Sequence, residues 1–210
     1  MNRGVIAPEA AGMGYVALGV VAFVIAGFFD LAALRGWRYV KQATGLVALL
    51  LWGCAFYGLL RTSPRFWLPA PLTWLGWPLL LVSLFLLVYS LFLEIPFRQT
   101  YAADGVGDKL VKTGTYALVR HPGVLWLALF LASLILVCRS RLLLVAAPVW
   151  LFMDVLYVWV QECFYFTKMF PGYEQYQRET PMLIPNGESI AQCIRTFGVR
   201  GREGGRICIF

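Results

Sequence analysis

Long stretches without a charged residue constrain this chain more than any other feature. Four runs contain no Asp, Glu, Lys or Arg, and they cover residues 10–29, 42–60, 66–93 and 122–138. A fifth run, residues 142–161, contains only Asp154. A helix that spans a bilayer needs about 20 mainly apolar residues, and about 17 is the lower limit. The runs therefore predict an all-α integral membrane protein with about five transmembrane helices.

The predicted helices divide the chain into three regions. They cover residues 12–34, 43–60, 72–93, 122–138 and 142–166. Residues 1–95 are predicted to form an N-terminal membrane region of three helices, and residues 96–187 a second unit. Residues 188–210, which end in the Gly/Arg-rich stretch GVRGREGGRICIF, are predicted to be disordered. Only the tripeptide RSR joins the last two helices, which predicts a tight antiparallel hairpin.

The distribution of Lys and Arg between the loops predicts the orientation. Five spans place 13 basic residues in the first loop, third loop and C-terminal tail, against 5 at the N-terminus and in the other two loops. Cytoplasmic loops carry the excess of basic residues in membrane proteins. We therefore expect the third loop and the C-terminus to be cytoplasmic.

Two classes of partner are disfavoured by composition. The chain has one histidine and five cysteines, and no two cysteines have CxxC spacing. This pattern argues against a metal site, which needs a cluster of such ligands. The basic residues are spread over several loops, which argues against a nucleic-acid surface.

The single histidine lies at the start of a hydrophobic run, in the tripeptide Arg120-His121-Pro122. Pro122 suits the first turn of a helix, where its missing N–H costs no hydrogen bond. Arg120 and His121 then lie just outside the hydrocarbon. They either anchor the helix at the membrane interface or serve a functional site.

Acidic residues occur in the last predicted helix, where charge is costly and often functional. Asp154 and Glu162 are eight residues apart, which places them on similar sides of a helix. The short hairpin makes this helix a neighbour of the one that begins at Pro122. We therefore expect His121 and Glu162 to lie close together at one membrane face, either as a structural ion pair or as part of a site.

Three segments in order resemble the membrane methyltransferases that include isoprenylcysteine carboxyl methyltransferase and the phospholipid methyltransferases. They are LVKTGTYALVRHP, the helical hairpin, and a pattern in which Glu162 is followed by FPGYEQYQRETPMLIP. The resemblance covers residues 110–185. The residues that match it are Gly114, Tyr116, Arg120, His121, Pro122, Glu162, Phe170, Tyr173, Tyr176, Pro181, Ile184 and Pro185.

The resemblance implies S-adenosylmethionine as cofactor and a lipophilic or membrane-associated methyl acceptor. It implies a cytoplasmic pocket formed by the last two helices, the third loop and the C-terminal segment. Arg120 and Glu162 are the catalytic candidates. The residues expected to bind the cofactor are Gly114, Tyr116, His121, Pro122, Glu162, Tyr173 and Tyr176.

Several positions depart from the family pattern. Thr115 replaces a proline, Val124 and Trp126 replace a tyrosine and a glycine, and Cys163 replaces a second glutamate. The segment FPGY is also one residue shorter than the family's F-G-x-x-Y. Two alternatives therefore stay open: a non-enzymatic membrane protein, and an NADPH-dependent enzyme similar to the sterol reductases.

Overall fold

A computed structural model describes residues 3–95 and 110–197, with side chains described from Gly12 onward. Regular structure in these ranges is helical, apart from one isolated β-bridge between Arg65 and Ser140. The helices are α1 (Arg3–Leu34), α2 (Arg38–Thr62), α3 (Ala70–Val88), α4 (Thr115–Leu118), α5 (Pro122–Cys138), α6 (Arg141–Val160), α7 (Thr167–Met169), α8 (Tyr173–Glu179) and α9 (Gly187–Thr196). Both α3 and α6 continue into a six-residue π-helical turn, at Tyr89–Glu94 and Gln161–Phe166.

Four helices in the described ranges are long and apolar enough to cross a membrane. They are Gly12–Leu34, Arg38–Thr62, Ala70–Glu94 and Arg141–Met169. The fifth predicted span, α5, has the predicted bounds and is apolar, but its 17 residues make it shorter than the other four. The prediction of an all-α membrane protein is thus confirmed, and four of its five spans reach the expected length.

The five long helices run alternately up and down, and close approaches at glycines show how they pair. A Cβ on Gly19 of α1 would overlap the Trp150 indole of α6, so the absence of a side chain at Gly19 lets this indole pack directly against the α1 backbone. Gly76 near the start of α3 lies against Leu136 and Val137 near the end of α5. Helices α3 and α5 are therefore antiparallel.

The core lies between α1, α2, α5 and α6, around the fully buried Trp150. Its Nε1 donates a hydrogen bond to the Val16 carbonyl oxygen at 3.0 Å. The rings of Phe56 and Trp52 pack on it at centroid distances of 4.9 and 5.1 Å. Aromatic packing of this kind, with the indole N–H satisfied, lets a bundle bury a large polar-tipped side chain.

The tight hairpin between α5 and α6 is confirmed, and the loop from α2 to α3 packs against it. Arg139 ends α5 in the left-handed conformation (φ 53°), and Ser140 caps α6 by accepting a hydrogen bond from the Leu143 N–H at 3.1 Å. The Ser140 hydroxyl donates to the Ser63 hydroxyl at 2.6 Å. We call this region, formed by Ser63, Pro64, Arg65, Arg139 and Ser140, the hairpin end.

The predicted disorder from residue 188 onward needs correction, because Gly187–Thr196 form helix α9. Asn186 and Ser189 form a capping box in which each side chain accepts a hydrogen bond from the other residue's backbone N–H, at 2.8 and 3.0 Å. Capping satisfies donors that a short polar helix would otherwise leave unpaired. Residues 198–210 of the predicted tail, and 96–109 of the third loop, lie outside the described residues.

Candidate functional site

The carboxylate of Glu162 lies at the centre of a buried network at the opposite end of the bundle, which we call the site end. Arg120 donates to it from Nε at 2.7 Å and from Nη2 at 2.8 Å. His121 Nε2 lies 2.9 Å from Glu162 Oε1. The Tyr173 hydroxyl and the Gln177 amide donate at 3.1 and 2.9 Å. These five residues form the Glu162 network.

Local sequence explains why the two halves of this network meet. His121 is the N-cap of α5 and Pro122 begins the helix, as the sequence predicts. Glu162 lies in the π-helical turn that follows α6. Because the hairpin makes α5 and α6 antiparallel neighbours, the start of one and the end of the other reach the same level. The predicted proximity of His121 and Glu162 is confirmed.

Arg120 also ties the C-terminal segment to the network. Its Nη1 donates to the carbonyl oxygens of Gln177 at 2.9 Å and Thr180 at 2.6 Å. The backbone N–H groups of Arg120 and His121 donate to the carbonyl oxygens of Pro181 at 2.9 Å and Met182 at 3.3 Å. One guanidinium thus fixes α8 and the residues after it beside the start of α5.

The charges of Arg120 and Glu162 are buried but fully paired. Their side chains are only 10% and 8% exposed, so both ions lose most of their hydration. Burying an ion pair costs several kcal/mol per ion unless further hydrogen bonds satisfy the remaining groups. A carboxylate offers about four lone-pair sites. Five donated contacts therefore leave Glu162 no spare capacity for an added cation in this arrangement.

Aromatic rings cover one side of the network. The His121 ring stacks on Phe166 at 5.8 Å between centroids, and Phe166 meets Tyr173 edge to face at 5.3 Å. Tyr173 in turn meets Tyr176 at 5.8 Å. Burial raises the pKa of both tyrosines well above 10. Both phenols therefore stay protonated, and Tyr173 remains a hydrogen-bond donor to Glu162.

A second carboxylate, Glu94, holds the turn that carries the predicted residue Gly114. Glu94 Oε1 accepts a hydrogen bond from the Thr115 N–H at 2.9 Å, and Oε2 accepts one from the Thr115 hydroxyl. Gly114 has φ +61°, and a Cβ there would overlap the Glu94 carboxylate. A glycine is therefore required at position 114 both by the backbone conformation and by the neighbouring acid.

Glu94 is not among the site residues predicted from the sequence, although Glu94 directly follows the charge-free run of residues 66–93. Only the pairing of α3 with α5 brings it to Thr115. Gln177 was also missed; it lies one turn after Tyr173 in α8, and that spacing is the signal that could have identified it.

Tyr116 and Tyr176 link the two carboxylates through the backbone. The Tyr176 hydroxyl donates to the Tyr116 carbonyl oxygen at 2.6 Å, and the Tyr116 hydroxyl donates to that of Ser90 at 3.3 Å. The Lys112 ammonium lies 5.6 Å from the centroid of the Tyr176 ring. All eight predicted site residues therefore lie at the site end, in contact with one another or through one intermediate residue.

Two further acidic residues, Asp30 of α1 and Asp154 of α6, lie outside the Glu162 network. Asp30 of α1 accepts hydrogen bonds from Tyr157 at 2.6 Å and Gln161 at 2.9 Å, which fixes α1 to α6 beside the site. Asp154 does not take part in either network. Among the residues that the structure describes, no group of three or more His, Cys, Asp or Glu could hold a metal ion.

Comparison with known families places the chain in one of them. The model of DUF1295, a protein family of unknown function, matches residues 37–180. The chain belongs to the DUF1295 family. No curated protein and no solved structure matches it. The DUF1295 match begins just before α2 and ends at Thr180, so it includes Glu94, Arg120, Glu162 and α8 but not α9.

Proposed function

We propose that this DUF1295 protein is an S-adenosylmethionine-dependent methyltransferase that acts on a lipophilic or membrane-associated acceptor. One observation carries the proposal. The residues that resemble the membrane methyltransferases come from α5, the end of α6, α8 and the turn at Gly114, and they converge in one connected cluster. Residues that match a pattern only by chance have no reason to converge.

The chemistry of the cluster fits this cofactor. S-adenosylmethionine carries a sulfonium, an ammonium and a carboxylate. Aromatic faces such as those of Phe166 and Phe170 attract cations, and the Glu94 carboxyl group lies beside Thr115 at the same end of the bundle. Lys112 supplies an ammonium suited to a carboxylate. Every charged part of the cofactor thus has a complementary group at this end of the bundle.

Bound S-adenosylmethionine supplies an electrophilic methyl group, and the protein has to orient the acceptor and exclude water. Methyl transfer is an in-line displacement in which the acceptor atom must lie about 3 Å from the methyl carbon. In this proposal His121 and Tyr116 contact the cofactor. Arg120 and Glu162 hold each other and fix α8, so they act by positioning Tyr173 and Tyr176 beside the bound cofactor.

We further propose that the site end faces the cytoplasm. The first loop, the residues around Arg120 and the C-terminal segment lie at this end, and these segments carry the excess of basic residues. A lipophilic acceptor would reach the cluster sideways from the bilayer. Helix α3 and the π-helical turn after it border that route, and their outward residues Leu81, Phe85 and Leu93 are exposed.

The completeness of the Glu162 network favours a second candidate, a membrane protein without enzymatic activity. All five contacts are made within the chain, so the cluster needs no ligand to be satisfied. In that case the network serves only to join α5, α6 and α8.

Thermal unfolding of the purified full chain with added ligand separates these functions. A ligand that binds only the folded state raises its stability by about 2.7 kcal/mol at a concentration of 100 times Kd. We expect a higher Tm with S-adenosylmethionine and with S-adenosylhomocysteine, and no change with NADPH. A shift with NADPH alone would support the reductase alternative, and no shift with any of the three at millimolar concentration would support the non-enzymatic one.

A matched pair of variants tests whether the cluster is the binding site. His121→Ala removes a buried polar contact, so we expect the affinity for S-adenosylmethionine to fall by an amount worth about 1–3 kcal/mol. Ser63→Ala, at the hairpin end, removes a half-buried hydroxyl far from the cluster and should leave the affinity unchanged. Calorimetric titration measures both. Equal affinities for the two variants would contradict the assignment.

A further inference from the structure

Helix α9 presents three distinct faces. At 100° per residue, Ser189, Cys193 and Thr196 lie on one side, and these are the buried or half-buried residues of the helix. Ile190, Ile194 and Phe197 lie about 100° further round and are 45%, 73% and 50% exposed. The remaining side carries the exposed polar residues Glu188, Gln192 and Arg195. One flank therefore contacts the protein, one is apolar and not covered by any of the described residues, and one is polar.

The apolar flank of α9 lies near the C-terminal end of the candidate membrane span that contains α3. Phe197, just after α9, stacks on Tyr89 with 5.6 Å between ring centroids, and Tyr89 stacks on Phe85 at 5.9 Å. Phe85 lies in the last turn of α3 and Tyr89 begins the π-helical turn that follows it, and the candidate membrane span that contains both ends at Glu94. Phe85 itself is 60% exposed and faces outward. The uncovered side of α9 is therefore continuous with the outward, apolar surface of α3.

The protein-facing flank connects α9 to the site. The Gly114 N–H donates to the Thr196 hydroxyl at 2.9 Å, and α9 packs on α4. Glu94 packs against Gly114 and accepts hydrogen bonds from the next residue, Thr115. The position of α9 thus helps to fix the turn that begins the candidate site.

We propose that α9 is an in-plane anchor that seats on the lipid bilayer containing the protein, with Ile190, Ile194 and Phe197 in the boundary between headgroups and acyl chains. Amphipathic helices bind membranes in this way, with the apolar face inserted by about 5–10 Å and the polar face in water. Continuity with the lipid-facing side of α3 favours lipid as the occupant. Seating on the membrane then sets the depth of the Gly114 turn relative to the bilayer.

Spin labels along α9 test the seating directly. The full chain, with its five native cysteines replaced by alanine, is reconstituted into phosphatidylcholine and phosphatidylglycerol vesicles. A nitroxide is placed in turn at Ile190→Cys, Ile194→Cys, Glu188→Cys and Gln192→Cys. Oxygen, which concentrates in the bilayer, should relax the first two labels more strongly, and a water-soluble nickel chelate should relax the last two.

Two results would overturn the proposal. Equal accessibility of all four labels to the nickel chelate would place α9 in water. Protection of the labels at 190 and 194 from both reagents would show that protein covers this face, either a second copy of the chain or another partner.

A second measurement addresses the link to the site. Ile190→Glu combined with Ile194→Glu should lift α9 from the membrane and increase hydrogen exchange at the backbone of residues 114–118 in vesicles. Gln192→Glu is the control, because it adds a negative charge on the polar side and should leave this exchange unchanged. Wild-type exchange in the double variant would contradict the proposed coupling.

Discussion

The two ends of the bundle are held together in different ways. At the hairpin end, the Ser63 and Ser140 hydroxyls and a few backbone groups join the α2–α3 loop to the start of α6. At the site end, a buried arginine and glutamate join α5, α6 and α8, and a second glutamate joins α3 to the turn before α4. Neutral groups hold one end, and ionised groups hold the other.

This difference predicts how each end responds to change. Removal of a hydrogen bond between two neutral hydroxyls lowers the free energy of unfolding by about 1 kcal/mol. A buried ion that loses its partner remains charged in a medium that solvates it poorly, and the cost is larger. The site end should therefore tolerate substitution less well than the hairpin end.

The largest effect should follow from Glu162→Ala. The substitution leaves Arg120 without its counter-ion, so we expect the free energy of unfolding to fall by about 3–5 kcal/mol. Ser140→Ala, the matched change at the hairpin end, should cost only about 0.5–2 kcal/mol through loss of a helix cap. Equilibrium unfolding in detergent gives both values. Similar costs for the two variants would remove the proposed difference between the ends.

A smaller effect is expected from Arg120→Lys, which keeps the charge but loses the planar fork. An ammonium cannot donate to both Glu162 oxygens and to the carbonyl oxygens of Gln177 and Thr180 in the same geometry. We expect a loss of about 1–3 kcal/mol, for carbonyl groups left without donors. Limited proteolysis should show faster cleavage within residues 173–185 and unchanged cleavage at the hairpin end. Uniform protection would mean that charge alone holds α8.

The smallest expected effect on the free energy of unfolding near neutral pH comes from Tyr173 and Tyr176. This effect grows at alkaline pH. Burial raises the pKa of each above its ordinary value of 10 in the folded state. The contribution of these raised pKa values to the free energy of unfolding is complete below pH 10. It is lost at higher pH, because the unfolded chain releases protons that the folded chain retains. The free energy of unfolding should fall by up to about 1.4 kcal/mol per pH unit for each tyrosine.

Unfolding measured at pH 9, 10 and 11 checks this dependence. Tyr173→Phe should reduce the slope, whereas Ser140→Ala, which removes no phenol, should leave it unchanged. A slope that is the same in both variants would show that the site-end tyrosines do not cause it.

Much of the fold could be predicted because charge-free runs report directly on membrane helices. The bounds of α5 agree with the prediction, and the three-residue connection led correctly to the contact between His121 and Glu162. The role of Glu94 could not be predicted, because it depends on the antiparallel packing of α3 on α5. The helix α9 was missed because its capping box lies in a segment whose composition indicates disorder.

Both carboxylates of the site end lie in π-helical turns, Glu94 at the last residue of one and Glu162 at the second residue of the other. A π turn accommodates one residue more than an α turn of the same height. The segment FPGY, which follows the second π turn, is one residue shorter than the family pattern that it resembles. An insertion in the helix and a deletion in the loop would cancel, and Tyr173 would keep its place beside Glu162. We therefore expect the two length changes to occur together among related chains.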